Sequence, residues 1–358
     1  MPYNFYSGPS MLPEGIIEAA KAAMDNFAGT GLSLLEISHR AKPFVAVMDA
    51  ARERARQLMG LSADYEVLFL QGGASTQFYM IPYNLLEPGE TAGYIDTGTW
   101  AHGALEEARL FGSVQVLASS KDANYTFIPK TIAAITAPLK YVHITTNNTI
   151  YGTQWPVAAL QQLRASLPKE TLMVADMSSD IFSRAIDYSM FDVIYAGAQK
   201  NMGIAGCTMV AVRKSVLTAR RPLPKMVDYR VQIEQGSMKN TPSVFAVYVT
   251  HLVLEWIAKE GLEVIAQRNE EKAKLLYAAI DRSTQFKGTV QEEDRSAMNV
   301  CFRGNAEAAE ARFSDLAKAR GLVGLPGHRS VGGFRASIYN AMPLAGVQAL
   351  AELIGEVG

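Results

Sequence analysis

From Glu66 onward the sequence alternates between two periods. Short apolar runs, "EVLFLQ", "AGYID", "SVQVLA", "YVHIT" and "LMVAD", are separated by segments whose apolar residues return every three or four positions. These segments are "STQFYMIPYNLL", disturbed at Pro82, then "WAHGALEEARLF" and "PVAALQQLRASL". A strand covered on both faces reads as a continuous apolar run, and a helix covered on one face reads as a 3.6 period. Their regular exchange predicts an α/β fold, a mainly parallel sheet between helices.

The pattern changes along the chain. Glu14 to Phe27 reads as an amphipathic helix after an opening loop, and Thr241 to Asp281 keeps a helical period for a long stretch. Beyond it come "SAMNVCF" (strand), "AEAAEARFSDLAKARG" (helix), "GGFRASIY" (strand) and "GVQALAELIGEV" (helix), the pattern of a smaller α+β unit. We expect a large domain over 1–260, including the N-terminal segment, and a small C-terminal domain over 261–358. A length of 358 residues accommodates both. No internal repeat or low-complexity linker interrupts them.

Charge excludes some functions. Lys and Arg number 34 against 35 Asp and Glu, a net −1, so no global basic field favours nucleic acid or a membrane surface. An anionic partner must be met by a local cluster of cations. Cys207 and Cys301 both lie in apolar runs and read as buried, reduced thiols, as expected in the cytoplasm. "MPYNFYSGPSMLP" lacks the basic start and apolar core of a signal peptide, and no stretch reaches the ~20 apolar residues of a membrane span.

One segment breaks the apolar rule. In "DVIYAGAQKNMGIAGCT" (192–208), Lys200 lies between two strand-like runs. It could snorkel to the surface at a strand end. Alternatively, a desolvated lysine gives up part of its preference for the charged form, and its amine becomes a nucleophile for carbonyls, above all pyridoxal 5′-phosphate (PLP). Such a site needs an acid for the pyridine nitrogen, a phosphate cradle, a flat group over the ring and cations for the substrate.

Each has a candidate, and each candidate a plainer reading. Asp176 ends the run "LMVAD", at the sheet edge where open α/β folds bind ligands, or it is a turn or N-cap aspartate. "LFLQGGASTQF" turns a strand into a helix near Ser75, whose free N–H groups and hydroxyl suit a phosphate, or it is only a tight turn. Trp100 in "DTGTWAHGA" either stacks on the ring or anchors the core. Thr149, in the polar loop "TTNNTIYGT", is placed to reach the ring's 3-oxygen. His39-Arg40 and His328-Arg329 form two anion clamps or two surface pairs. Arg335, in an alternating apolar strand, needs a carboxylate, from substrate or from an internal ion pair.

Taken together, the residues resemble those of the class V aminotransferase group of fold type I PLP enzymes, and within it the phosphoserine aminotransferase family. The carrying motifs are "NFYSGPSMLP", "EISHRAKPF", "VLFLQGGASTQF", "ADMSSDIFSRAID", "IYAGAQKN", "GSMKNTPS" and "GHRSVGGFRASIYNAMP", in order from residue 4 to residue 343. The resemblance implies that the large domain binds PLP. Lys200 would hold it and shuttle the substrate proton, Asp176 would pair with the ring nitrogen, Trp100 would stack and Thr149 would bond the 3-oxygen. Ala74, Ser75 and Gln199 would bind the phosphate. Asn240 and Thr241 would reach the same phosphate from a second subunit of a homodimer. His39, Arg40, His328, Arg329 and Arg335 would bind the anionic ends of L-glutamate and of a phosphorylated keto acid, 3-phosphohydroxypyruvate. The products would be O-phospho-L-serine and 2-oxoglutarate, with 4-phosphohydroxythreonine left open as a further substrate. No metal is called for.

Two motifs depart from the common pattern. "TNNT" (146–149) stands where many members carry Pro-Asn-Glu-Thr, and Gly72-Gly73-Ala74-Ser75 where many carry Gly-Gly-Gly. Other chemistry on the same scaffold remains open at this point. A desulfurase would need a mobile cysteine, a decarboxylase would share the pocket, and a non-catalytic PLP-binding regulator would be expected to carry a DNA-binding module.

Overall fold

The computed structural model describes residues 2–218 and 221–358. In chain order the elements begin with β1 (Tyr3–Asn4), α1 (Ile16–Asp25), α2 (Lys42–Leu58), β2 (Tyr65–Leu70), α3 (Gly73–Leu85), β3 (Thr91–Asp96), α4 (Thr99–Ala108) and β4 (Ser113–Ser119). Next come β5 (Leu139–Thr145), β6 (Asn147–Asn148), β7 (Thr153–Gln154), α5 (Val157–Ser166), β8 (Leu172–Asp176), β9 (Val193–Gly197), β10 (Thr208–Arg213) and α6 (Tyr229–Glu234). The chain ends with α7 (Val244–Glu260), α8 (Leu262–Arg282), β11 (Phe286–Gly288), β12 (Asn299–Gly304), α9 (Glu307–Ala319), β13 (Leu322–Val323), β14 (Phe334–Ser337) and α10 (Leu344–Val357).

Seven strands form one sheet in the order β2-β10-β9-β8-β5-β3-β4, parallel throughout except β10, which runs against both neighbours. The fold is therefore α/β with a mainly parallel sheet, as expected. Successive residues of one strand enter different cores: Val67 and Phe69 one, Leu68 and Leu70 the other, with Ile194 and Tyr195 divided likewise. That double coverage is why these strands carry apolar residues in succession rather than in alternation. All the parallel strands end on one edge, and because β10 is antiparallel its first residue, Thr208, pairs there with both Leu70 and Gly197.

A third core surrounds the antiparallel sheet β11-β12-β14 and joins α8, α9 and α10. Phe5 is wholly buried in it, and β1 pairs in parallel with β13, so the N-terminus is stitched into the C-terminal unit. The long helical stretch is two helices, because Gly261 sits at φ +86, a left-handed conformation that ends α7. We propose Gly261 as the boundary between the units; α8, which begins just past it, ties them together, with Ile265 packed in the first core and Leu276 in the third.

Two local readings change. Helix α3 runs through Pro82 to Leu85. Helix α2 is absent from the sequence reading above, although Phe44, Met48, Ala51 and Ala55 repeat on one buried face and a proline occupies its first turn.

Candidate active site

Where the strands end, their following loops enclose a cavity of about 260 Å³. The turn after β2 supplies Gly73, Ala74 and Ser75, helix α4 supplies Trp100, and the loop after β5 supplies Thr149. Strand β8 ends in Asp176, and the turn after β9 carries Gln199 and Lys200. His328 and Arg335 reach in from the C-terminal unit. The cavity thus lies on the sheet's C-terminal edge, where open α/β sheets bind ligands.

Lys200 does not snorkel. Its Nζ donates to Thr149 Oγ1 at 2.9 Å. Burial lowers its pKa from 10.5 to about 8, with the Asp176 carboxylate pulling it up and the Arg335 guanidinium pushing it down. Whole-residue exposure is intermediate because the side chain opens into the cavity. Its backbone is clamped from the N-terminal segment: the Ser10 N–H donates to the Gln199 carbonyl at 3.0 Å and the Ser10 hydroxyl to the Lys200 carbonyl. Gly8 has φ +134, and a Cβ there would lie 3.3 Å from the Cγ atoms of Gln199 and Lys200. Any other residue there would be strained at that φ and would crowd both side chains.

Asp176 is 4% exposed and its Oδ1 accepts the Ser178 N–H at 2.9 Å. Burial raises its pKa, while Ser178 and the nearby Lys200 ammonium pull it back. A cation brought into the cavity would favour the carboxylate further. At the start of α3, Gly72 adopts φ +97 and its carbonyl accepts the Thr76 hydroxyl at 2.6 Å. The N–H groups of Gly73, Ala74 and Ser75 open the helix and have no intrahelical acceptors, which makes an anion cradle. Trp100 is 40% exposed and lines the cavity, so it is not a core anchor.

Arg335 is buried, with Nη1 donating to the Thr149 carbonyl at 3.3 Å and Nε left without a partner. Among the described residues no carboxylate forms an ion pair with it. A buried guanidinium in that condition calls for an anionic ligand. His328 is half-buried, its Nδ1 2.7 Å from Ser330 Oγ, while Arg329 is exposed and does not line the cavity. Burial, with the charges of Arg335 and Arg329, lowers the His328 pKa.

Other expected residues lie apart. His39 and Arg40 do not line this cavity. Asn240 and Thr241 are exposed and do not line it either, and Gln71 Nε2 donates to the Thr241 carbonyl at 2.6 Å. The sequence reading missed Ser178, Ser179 and Asn147 on the cavity wall, and the strap Ser7–Ser10. Asn147 Nδ2 donates to Ser179 Oγ at 2.7 Å and to Asn299 Oδ1 at 2.8 Å, which ties the site to β12. The available clue was "YSGPS", a Gly-Pro turn between polar residues.

The donor set fits PLP: an amine that is readily neutral, a buried carboxylate, a helix-start cradle and a flat indole, all on one cavity. Comparison with known proteins gives the same direction. A family model described as Aminotransferase class-V matches residues 2–350. This chain belongs to the class-V aminotransferases.

Within the family, the chain is similar to the phosphoserine aminotransferases. It is 53% identical to that of Flavobacterium johnsoniae, over 98% of this chain and 97% of the relative. It is 52% identical to that of Parabacteroides distasonis, over 99% and 98%. Among solved structures, the phosphoserine aminotransferase from Bacillus circulans subsp. alkalophilus matches at TM-score 0.93 and 42% identity, covering 100% of this chain and 98% of that one. The PLP-bound enzyme of Trichomonas vaginalis matches at TM-score 0.90 and 34% identity, covering 99% of each. Membership in the family makes this chain an aminotransferase, and the cysteine route of a desulfurase is closed structurally. Cys207 and Cys301 are both buried, and burial pushes each thiol up to about 12.

Proposed function

We propose that this chain moves the amino group of L-glutamate to 3-phosphohydroxypyruvate in serine biosynthesis, giving O-phospho-L-serine and 2-oxoglutarate. The observation that carries this reading is the buried Arg335 guanidinium, free of any described carboxylate, facing the same cavity as the Lys200 amine. Full-length likeness to phosphoserine aminotransferases supports the choice of substrates.

PLP held at Lys200 would supply an electron sink for the charge left on the substrate Cα when its proton is removed. The residues around it do the rest. Lys200 would hold the cofactor, and its Nζ, when free and neutral, would take the substrate Cα proton and deliver it at the other end of the transfer. Asp176 would keep a proton on the ring nitrogen. Gly73, Ala74, Ser75 and Gln199 would hold the cofactor's phosphate, Trp100 would stack on its ring and Thr149 Oγ1 would bond its 3-oxygen. Arg335 binds the α-carboxylate that both substrates carry. His328 and Arg329 face the distal anion, a carboxylate in one half-reaction and a phosphate in the other.

His39, Arg40, Asn240 and Thr241 then act in the site of a second copy, so the working unit is a homodimer. Two free, buried cysteines suit the cytoplasm, and among the described residues no helix is long and apolar enough to cross a membrane. The test is an assay of purified protein with glutamate and 3-phosphohydroxypyruvate, with unphosphorylated hydroxypyruvate alongside. Phosphoserine should form, and kcat/KM should fall on the order of 100-fold or more without the phosphate. Equal turnover of the two keto acids would overturn the substrate assignment.

A further inference from the structure

A group of buried side chains behind the cavity has no task in this scheme. Strands β5 and β8 pair His143 with Val174, and β8 and β9 pair Asp176 with Tyr195. Paired residues of parallel strands, and residues two apart in one strand, share a face, so His143, Asp176 and Tyr195 all lie on the same side of the sheet. His143 Nε2 is 2.9 Å from the Tyr195 hydroxyl, and its ring stacks on Tyr94 at 4.9 Å. Burial takes the imidazole down to about 3, so it is neutral at working pH.

A neutral imidazole has one N–H to place. Nδ1 is buried and has no hydrogen-bond partner. An orphaned N–H is rarer in proteins, and costlier, than a bare acceptor. The proton therefore sits on Nε2, which donates to the Tyr195 oxygen. That oxygen must direct its own proton elsewhere, and the polar group beside it is the Asp176 carboxylate. Burial and that neighbouring charge together hold the phenol well above its ordinary pKa, so it remains a donor.

We propose that His143 and Tyr195 are positioning residues: the imidazole aims the phenol O–H at Asp176, which orients the carboxylate and keeps it ionised against burial. The inference rests on the reading of Asp176 as the partner of the cofactor's ring nitrogen. The Ser178 N–H supplies a second donor to the same carboxylate. The other charged groups facing Asp176 are Lys200, from the turn after β9, and Asp180, from the turn after β8. Tyr94 and Tyr229 face Tyr195 from β3 and α6.

The test compares wild-type holoenzyme with Tyr195→Phe, His143→Gln and His143→Leu, following the visible cofactor band against pH and separating kcat from KM. Glutamine keeps an amide N–H near the position of Nε2, and leucine removes it. Without the phenol O–H, Asp176 becomes more basic and draws the proton away from the ring nitrogen. A less electron-poor ring holds the proton at the Lys200 linkage more tightly, so the spectral midpoint rises. For Tyr195→Phe and His143→Leu the expected rise is about one pH unit, with kcat about tenfold lower and KM little changed. His143→Gln should stay near wild type. An unmoved midpoint in folded Tyr195→Phe and His143→Leu would overturn the proposal, as would a His143→Gln shift equal to that of His143→Leu. Should Tyr195→Phe fail to fold, the glutamine–leucine pair at 143 still decides. A wild-type protein with no visible band would instead overturn the functional reading itself.

Discussion

Lys200 Nζ donates to Thr149 Oγ1 at 2.9 Å, while the carbonyl of that threonine accepts Arg335 Nη1 at 3.3 Å. One residue thus separates the amine proposed to react from the guanidinium proposed to bind its substrate. The spacing keeps a positive charge close to Lys200 and, with burial, holds its pKa near 8.

The first prediction concerns that pKa. Only the neutral amine attacks the cofactor's aldehyde. Capture of PLP by the apoprotein should therefore accelerate as pH rises through about 8, where an ordinary lysine would require about 10.4. Arg335→Leu removes a repelling cation and should move the midpoint up, and Asp176→Asn removes an attracting anion and should move it down. Stopped-flow absorbance measures all three. A wild-type midpoint near that of free lysine would contradict the burial argument.

Trp100 and Trp155 offer an internal contrast. Trp155 is 2% exposed within the first core, so Trp155→Ala should cost about 3–5 kcal/mol in denaturant unfolding of the apoprotein. Trp100 is 40% exposed, and its alanine variant should lose less than about 1 kcal/mol, yet bind PLP about tenfold more weakly. Equal destabilisation by the two substitutions would return Trp100 to a packing role.

Arg335 is proposed to hold the carboxylate common to both substrates. Arg335→Leu should lower kcat/KM for glutamate and for the phosphorylated keto acid alike, on the order of 100-fold or more. Arg335→Lys should recover little, because an ammonium cannot make the two parallel bonds of a guanidinium. A loss confined to one substrate would place Arg335 at the distal anion.

The position of His39 and Arg40 outside the chain's own cavity makes a prediction about mixing. Lys200→Ala and Arg40→Ala proteins should each be nearly inactive alone. Unfolded and refolded together, they should regain roughly one quarter of wild-type activity, since half the dimers are hybrids and each hybrid has one intact site. A mixture no more active than its parts would argue that Arg40 serves its own chain, or none.

The sheet was readable because full burial leaves a plain record: Val193, Ile194 and Tyr195 are apolar in succession since both faces are covered. Lys200 and Asp176 were readable as polar residues at the ends of such runs. Helix α2 was harder, since its buried face includes Ala51 and Ala55, whose small side chains mark a periodicity weakly. The strap was harder still. What matters in Gly8 and Ser10 is backbone proximity to Lys200, a contact across most of the chain that no local pattern encodes. His143 and Tyr195 sat in apolar runs, where a ring reads as packing until strand register sets it beside Asp176.

The most direct measurement is the absorbance of the purified holoenzyme on adding L-glutamate and then 3-phosphohydroxypyruvate, with Lys200→Ala alongside. A band at ~410–430 nm should bleach with the first and return with the second, and the variant should show no normal turnover. A band that ignores glutamate would contradict the transamination, and the absence of any band would return Lys200 to the role of a buried structural cation.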